Sequence, residues 1–503
     1  MDKTLTSNVN GCLIIGDHPI RKSIESQAKA MSGNDCMVVL TSPATENAIE
    51  EDNSAIDLLT SMAKARTAEA SRRTVHLLLQ SNTSLRIYQS MDFPKEINDA
   101  FDIIPFTMED MWAKNVLAQL PGIRNTEYPP LDRKGITQDS RSTVHVVISG
   151  FSKQAEAIAL HAALMAHYPN YHPDDKMPLR SRVTIIDKDM AVKKDSFIAK
   201  YQTLFEHSYY RTINLYTHTQ NLHRPMYEGK RTDFVDVEWE FVCGEIYSSE
   251  VCGKLQKWAC NRDKQLTIFM SHDDDEKNLS EGMSLPREIY EKGIPVIVQQ
   301  SSNSLAGMLN RSALYQNVHF FGMKDCGYDL TTPLIKLAKM LKYFYDCSYS
   351  AIGVPSALPT DKVNEAWKQE TSFKMRFSSL YNVMTIATKM RSLGHAEDDA
   401  DTFYALTQQE IEVLAETEHN RWSVERLIQG SRPCTDQELA DIRTNTKVLK
   451  KEYKKRDIHF DLRAYSELED DGTGKNARVY DYDLTACIPL MVKTFYENIR
   501  NGE

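Results

Sequence analysis

Two blocks of short, strongly apolar runs, each run followed by a segment of helical length, constrain this chain most. The first block holds GCLIIG (11–16), CMVVLTS (36–42), TVHLLLQS (74–81) and FDIIPF (101–106). The second holds TVHVVISGF (143–151), RVTIIDKD (182–189), VEWEFVCGEI (237–246), LTIFMS (266–271), PVIVQQ (295–300) and VHFFGM (318–323). Runs this short suit strands covered on both faces. The stretches between them, with helices expected at 19–31, 55–73 and 154–167, suit crossovers, so each block reads as a parallel sheet with helices around it. Between the blocks, 121–142 is polar, contains Pro129-Pro130 and has no periodicity, so it reads as a linker. After about 330 the strand pattern stops. Helices are expected at 333–348, 367–393, 406–430 and 481–499. The expected fold class is therefore α/β, with two parallel-sheet domains (1–120 and 143–330), a helical connector (331–400) and a mostly helical C-terminal domain (401–503).

The turns after the first strand of each block decide whether a nucleotide fits. In a dinucleotide fold this turn carries GxGxxG, which lets a pyrophosphate approach the backbone at a helix N-terminus. Gly16-Asp17-His18-Pro19-Ile20-Arg21 keeps only the first glycine, and Arg21 stands in place of the third. The first block reads as a Rossmann-like half without a site. Gly150-Phe151-Ser152-Lys153-Gln154-Ala155 keeps the first glycine and has a tolerated alanine last. Asp187 ends the next strand, where a ribose-binding acid belongs. Gly150, Phe151, Ser152, Asp187 and Gly244 are the expected cofactor residues, with NAD or another nucleotide as occupant. A Rossmann scaffold with an empty crevice is the competing reading.

The region 406–430 reads as one helix. Thr407 and Glu410 have capping-box spacing, and Gly430 stands at the C-cap. Ile411, Leu414, Ala415 and Trp422 fall within one arc, but Glu418, Glu425, Arg426 and Gln429 share it. Either these polar groups form a buried ion network or they line a pocket.

Composition narrows the class of function. A formal net charge of −10 argues against a general nucleic-acid binder, which needs a basic face. No apolar run reaches the roughly 18–20 residues that span a bilayer. The N-terminal stretch lacks a signal-peptide pattern, so a cytoplasmic location without membrane insertion is expected. The nine cysteines are scattered with no CxxC pair, which points to reduced thiols and no metal. His272-Asp273-Asp274-Asp275-Glu276 reads as a solvated acidic loop. No GxSxG, HExxH or Walker lysine is present, so no catalytic residue is assigned.

LAETEHNRWSVERLIQG (414–430) resembles the signature helix of the RyR domain, the small helical module repeated in ryanodine receptors and found in bacterial proteins. HFDLRAYSEL (459–468) resembles that domain's second signature, and 367–394 resembles the segment that precedes it in bacterial members. The two α/β blocks resemble the TrkA-N type of NAD-binding fold of potassium-transport regulators. Residue by residue, the resemblance singles out Glu418, His419, Arg421, Trp422, Glu425, Arg426, His459 and Tyr465 as ligand-binding. The chain departs from the pattern at Ser431-Arg432-Pro433 and at Phe460, which replaces a proline. The resemblance implies a ligand-sensing regulator of a nucleotide-like molecule, in a bacterial defence or signalling setting, with a homodimer as the expected assembly. The alternatives are an NAD(P)-dependent oxidoreductase and a regulatory subunit of an ion-transport system.

Overall fold

The computed structural model describes residues 5–501 apart from 32–34, 44–46, 67–70, 92–93, 122–126, 226–232, 303–305, 310, 351–352, 396–404, 445 and 471–475. The fold is α/β, with two large sheets followed by a mostly helical region that holds a short parallel pair, Arg432–Pro433 with Ile458–His459.

The first sheet has five strands in the order β1 (Thr6–Val9), β2 (Cys12–Ile15), β3 (Cys36–Leu40), β4 (Arg73–Leu78) and β5 (Phe101–Phe106). Only the β1–β2 pair is antiparallel. Asn10 and Gly11, with φ of 48° and 86°, make the tight turn between them. Such a turn matches the twist of the flanking strands, and Asn-Gly is its usual signal. Reading the first strand from Gly11 onward misses β1. The four parallel strands then advance in one direction without reversal, so no switch point opens a crevice. The turn after β2 is closed from within. Arg21 donates to the carbonyls of Gly16 and Leu5 and to Ser7 Oγ. The long helix spans Ala48–Ala65, starting and ending earlier than the 55–73 expectation, with Asn47 as its N-cap.

The second sheet has eight strands: β6 (Thr143–Ser149), β7 (Ser181–Asp187), β8 (Tyr210–Asn214), β9 (Thr219–His223), β10 (Val237–Cys243), β11 (Lys264–Met270), β12 (Val296–Gln299) and β13 (Val318–Phe321). Their order is β13-β12-β11-β6-β7-β10-β8-β9. Without the β8–β9 hairpin this is the doubly wound order, with a switch point between β6 and β11. All six expected strands are present. The polar edge hairpin, which offers no apolar run, was not legible.

Two long helices expected from periodicity are broken. The stretch 367–393 is split among Thr360–Gln369, Phe373–Met384 and Ile386–Ser392. At the first break Glu370 accepts from Ser372 N–H, and Phe373 N–H goes to the Met91 carbonyl. A tertiary partner has replaced the intrahelical bond. The C-terminal helix divides into Arg478–Ala486 and Ile488–Asn501, with Pro489 near the start of the second. Proline has no N–H to continue the ladder but is tolerated in a first turn. Among the described residues no helix is long and apolar enough to cross a membrane.

One connected apolar cluster runs from the first sheet through one face of the second into the helices. The segment read as a linker takes part in it. Tyr128, Leu131 and Ile136 are buried, and a Cβ on Gly135 would lie 2.2 Å from the Arg391 carbonyl oxygen. Asp132, 1% exposed, receives Arg391 Nε at 2.9 Å and Nη2 at 2.7 Å. Removing one partner of a buried pair strands the other charge. Asp132→Asn is therefore expected to lower the unfolding free energy by roughly 3–5 kcal/mol in urea titration, against about 0–1 kcal/mol if the pair behaved as a surface bridge.

Candidate functional site

The helix Gln408–Ile428 positions most of the candidate residues. Its capping box is present: Thr407 Oγ1 accepts from Glu410 N–H, and Glu410 accepts from Thr407 N–H. Gly430 follows with φ of 88°. The helix is buried on most sides, so its polar residues need partners inside the protein.

Three of them form a closed network with Lys389. Arg421 donates to Glu418 through Nε (2.9 Å) and Nη2 (2.8 Å), and to Glu425 Oε2 through Nη1 (2.9 Å). Lys389, from the helix Ile386–Ser392, reaches Glu418 Oε2 at 2.6 Å and Asn382 Oδ1 at 3.2 Å. Ser378 and Gln429 complete the shell of Glu425. Two carboxylates thus meet two cations with all four side chains buried. Burial alone would raise the Glu418 carboxyl, but Arg421 and Lys389 outweigh it and hold it at about 2. His419 is a second fixed group. It bonds Asp481 Oδ2 (3.1 Å) and the Arg463 carbonyl (2.9 Å), and although burial opposes it, these partners raise its pKa.

Arg426 is different. It is 6% exposed, yet among the described residues it makes no ion pair. Nη1 donates to Gln429 (3.2 Å), Nη2 faces Met375 Sδ (3.6 Å), and Nε is buried without a hydrogen-bond partner. Its guanidinium lies 5.5 Å from the centre of the Trp422 ring. It lines a cavity of about 860 Å³ between this helix, the helices Pro333–Tyr349, Phe373–Met384, Thr446–Lys455 and Arg478–Ala486, and the turn around His459.

One wall of the cavity carries Tyr345, Tyr349 and Tyr480, with ring centroids 5.8–6.4 Å apart and planes within 33° of each other. Trp422 and His459 meet edge to face at 4.8 Å. Lys450, Lys451 and Lys454 line it from the Thr446–Lys455 helix. Burial, then the charges of Lys454, Arg426, Lys450 and Lys374, hold the His459 imidazole well below its ordinary pKa. The field at this site is that of an excess of cations.

The structure brings Glu418, His419, Arg421, Trp422, Arg426 and His459 to the cavity. Glu425 stands behind it in the ion network. Tyr465 packs on His419 at 5.7 Å and under Arg478, outside the cavity. The three tyrosines, the rim lysines and Lys389 were not singled out from sequence. Tyr345 and Tyr349 lie four apart on one helix face, and the lysines form a visible run. Lys389 sits in a stretch that reads as apolar core and gives no signal.

At the second sheet's switch point, Gly150 has φ of 88°, and a Cβ there would lie 2.7 Å from the His272 ring. Ser152 caps the helix Lys153–Met165 by accepting from Ala155 N–H. Asp187 accepts from Phe151 N–H (3.0 Å), Asp189 N–H (2.8 Å) and Lys193 Nζ (2.8 Å). Gly244 N–H donates to the Asp187 carbonyl. The five expected cofactor residues are therefore grouped, but their polar atoms satisfy one another. A ribose would compete with Lys193 for Asp187. The acidic stretch 272–276 is more structured than a solvated loop. Asp274 caps a helix, and His272 and Ser149 both bond Glu281 Oε2, at 2.9 and 2.6 Å.

The network sets an acid limit. Glu418 is depressed, so its contribution is complete above its ordinary value of 4.5 and is lost as pH falls towards about 2. Glu418→Gln is expected to cost roughly 3–5 kcal/mol at neutral pH and to flatten the fall of stability across that acid window, as followed by urea melts at stepped pH.

No protein-family model matches the chain, and no curated protein and no solved structure matches it, so the site is read from its own geometry.

Proposed function

We propose that this chain is a ligand-binding regulatory protein whose C-terminal cavity takes a nucleotide-like molecule, an aromatic ring bearing an anionic group. The observation that carries the reading is Arg426, a buried guanidinium that meets no carboxylate among the described residues and faces a cavity walled by aromatic rings. A desolvated cation is costly unless an anion meets it, and a guanidinium suits phosphate or carboxylate geometry. The tyrosine wall and Trp422 supply flat surfaces on which a base can stack. A volume of about 860 Å³ is within the range of small-molecule sites. The resemblance of 414–430 to the RyR-type helix points the same way.

Binding is favoured over catalysis by how the cavity's reactive groups are engaged. Ser378 donates to Glu425, Ser379 donates to the Met375 carbonyl, and His459 Nδ1 accepts from Asp461 N–H. The carboxylate that Ser378 meets is itself held by Arg421, and Ser379 meets only a backbone carbonyl in that bond. The cavity is built jointly by the connector helices and the C-terminal helices, so a bound ligand bridges them. Differential affinity for the bridged arrangement is what a sensor needs.

Calorimetry with adenine and guanine nucleotides and NAD tests the reading. Binding of at least one is expected, with Arg426→Met weakening it by about 10- to 150-fold, the equivalent of one charged hydrogen bond at roughly 1.5–3 kcal/mol. The variant relieves a buried charge, so its thermal stability is expected to hold or rise. No binding by any member, or unchanged affinity in Arg426→Met, would sink the reading.

A further inference from the structure

We infer that a second cavity, beside the edge strand of the first sheet, binds an elongated apolar carboxylate that carries another acceptor oxygen towards its far end, as an oxo fatty acid does. This goes beyond the nucleotide-like reading and does not depend on it. The cavity measures about 720 Å³ and lies between β5, the helix Met108–Leu117, the connection 323–335, Trp367 and the helix Phe373–Met384. It shares no lining residue with the C-terminal cavity. The helix Phe373–Met384 stands between the two: Phe373, Arg376, Phe377 and Leu380 line this one, and Met375, Ser378, Ser379 and Asn382 line the other.

The wall is largely apolar and held in place. Tyr328 stacks on Phe106 with ring centroids 3.9 Å apart, and its hydroxyl bonds His76 Nδ1 at 2.7 Å. The Gly327 backbone covers the Trp112 indole so closely that a Cβ there would lie 2.6 Å from Cζ2. Most polar groups of the wall have partners. Lys114 pairs with Asp110, Asn115 donates to the Gly327 carbonyl, and Trp367 Nε1 donates to Asp102. The acids Glu127 and Asp329 are exposed. Two donors are left over. Trp112 Nε1 and Arg376 Nη1 are buried without a hydrogen-bond partner among the described residues, on residues 5% and 4% exposed. Such donors are costly until an acceptor meets them. They are also far apart along β5. Arg376 stands beside Asp102 at the start of the strand. Tyr328, next to the glycine that covers Trp112, stacks on Phe106 at its end, four residues or roughly 13 Å further on. The charge at the Arg376 end selects an acid. Asp102 meets three cations there, Lys339 at 2.7 Å, Arg376 at 3.5 Å and Arg72 at 3.9 Å. Glu370 is taken by Lys342, and Asp99 and Glu365 are exposed. A ligand carboxylate on Arg376 reduces that excess, and a guanidinium suits it. The neutral indole N–H at the other end suits an uncharged oxygen, and the apolar wall between them suits a hydrocarbon chain.

The test is calorimetry of the full-length protein with decanoate, 9-oxodecanoate, 1-decanol and decylamine. Decanoate is expected to bind at one site, at least about tenfold tighter than the alcohol, the increment of one charge-assisted hydrogen bond, with the amine weaker still. The keto oxygen of 9-oxodecanoate is expected to add about 2- to 12-fold, the increment of one neutral hydrogen bond. Trp112→Phe keeps an aromatic ring and removes the donor, so it abolishes the keto gain while the decanoate affinity changes by less than about twofold. Arg426→Met leaves all of these affinities as they are in wild type, which separates this site from the C-terminal cavity. Absence of decanoate binding, or equal binding of acid and alcohol, overturns the inference. So does a keto gain that is missing in wild type or survives Trp112→Phe. Thermal melts check that Trp112→Phe is folded, and if it is not, the four probes on wild type still decide. Failure of every nucleotide to bind removes the reading above and leaves this inference standing.

Discussion

Everything in the C-terminal half depends on one buried electrostatic balance. Glu418, Arg421, Glu425 and Lys389 put two negative and two positive charges into the interior within hydrogen-bond distance of one another. An isolated charge there would be prohibitive, and even a pair recovers its desolvation cost only when every donor and acceptor is matched. Here the matching is nearly complete, with Arg421 donating on both sides and Ser378, Asn382 and Gln429 filling the remaining valences. Apolar residues of similar volume could give comparable stability. What the ions add is register. The helix Gln408–Ile428 can slide or rotate against the connector only by breaking the contacts that cross between them, Lys389 to Glu418 and Ser378 to Glu425, while Arg421 holds the two acids in place from within the helix.

That balance also gives Arg426 its meaning. Glu418 and Glu425 are committed to Arg421 and Lys389, so neither neutralises the guanidinium one position beyond Glu425. A sequence reading that sees Glu418, Glu425, Arg426 and Gln429 on one arc finds the cluster but leaves Arg421, which joins the two acids, off that arc. Helical spacing puts Arg421 three residues from Glu418 and four from Glu425, and that geometry takes the acids away from Arg426. The two readings left open by the sequence, ion network and pocket wall, are therefore both present, and Glu418 and Arg421 take part in both. The network holds the helix, and the surplus cation faces the cavity.

What was legible follows the range of the interaction concerned. Strands buried on both faces advertise themselves in a few consecutive residues, and the six such strands of the second sheet overlap their expected runs, with Ser181–Asp187 and Lys264–Met270 beginning one and two residues earlier. The capping box and Gly430 are local as well and stand where the spacing puts them. Helix breaks were misplaced because their causes are not local. Phe373 gives its N–H to Met91, far back in the first sheet's region. The segment 121–142 is polar and aperiodic, yet Asp132 is buried against Arg391, 259 positions away. No composition rule distinguishes such an aspartate from a solvated one. The cavity was half visible. The residues on its central helix were found, but its tyrosine wall comes from two other helices, and its rim from a lysine run that reads alone as a solvated face.

The short helix Ile386–Ser392 explains how these distant pieces act on one another. Lys389 and Arg391 are two residues apart, so on a helix they project to nearly opposite sides. Lys389 reaches Glu418 beside the cavity, and Arg391 clamps Asp132 in the segment that joins the two sheets. Both cations are buried, and each meets a buried carboxylate. The helix is thus fixed at two electrostatic points, one on each side, and any rotation that relaxes one contact strains the other. The Asp132–Arg391 clamp ties the helix beside the cavity to the segment between the sheets. A cavity that only held a ligand would not require such a tie. One that reports its occupancy to the rest of the chain would need a rigid element of this kind, small enough to respond as a unit and anchored by interactions too costly to break singly.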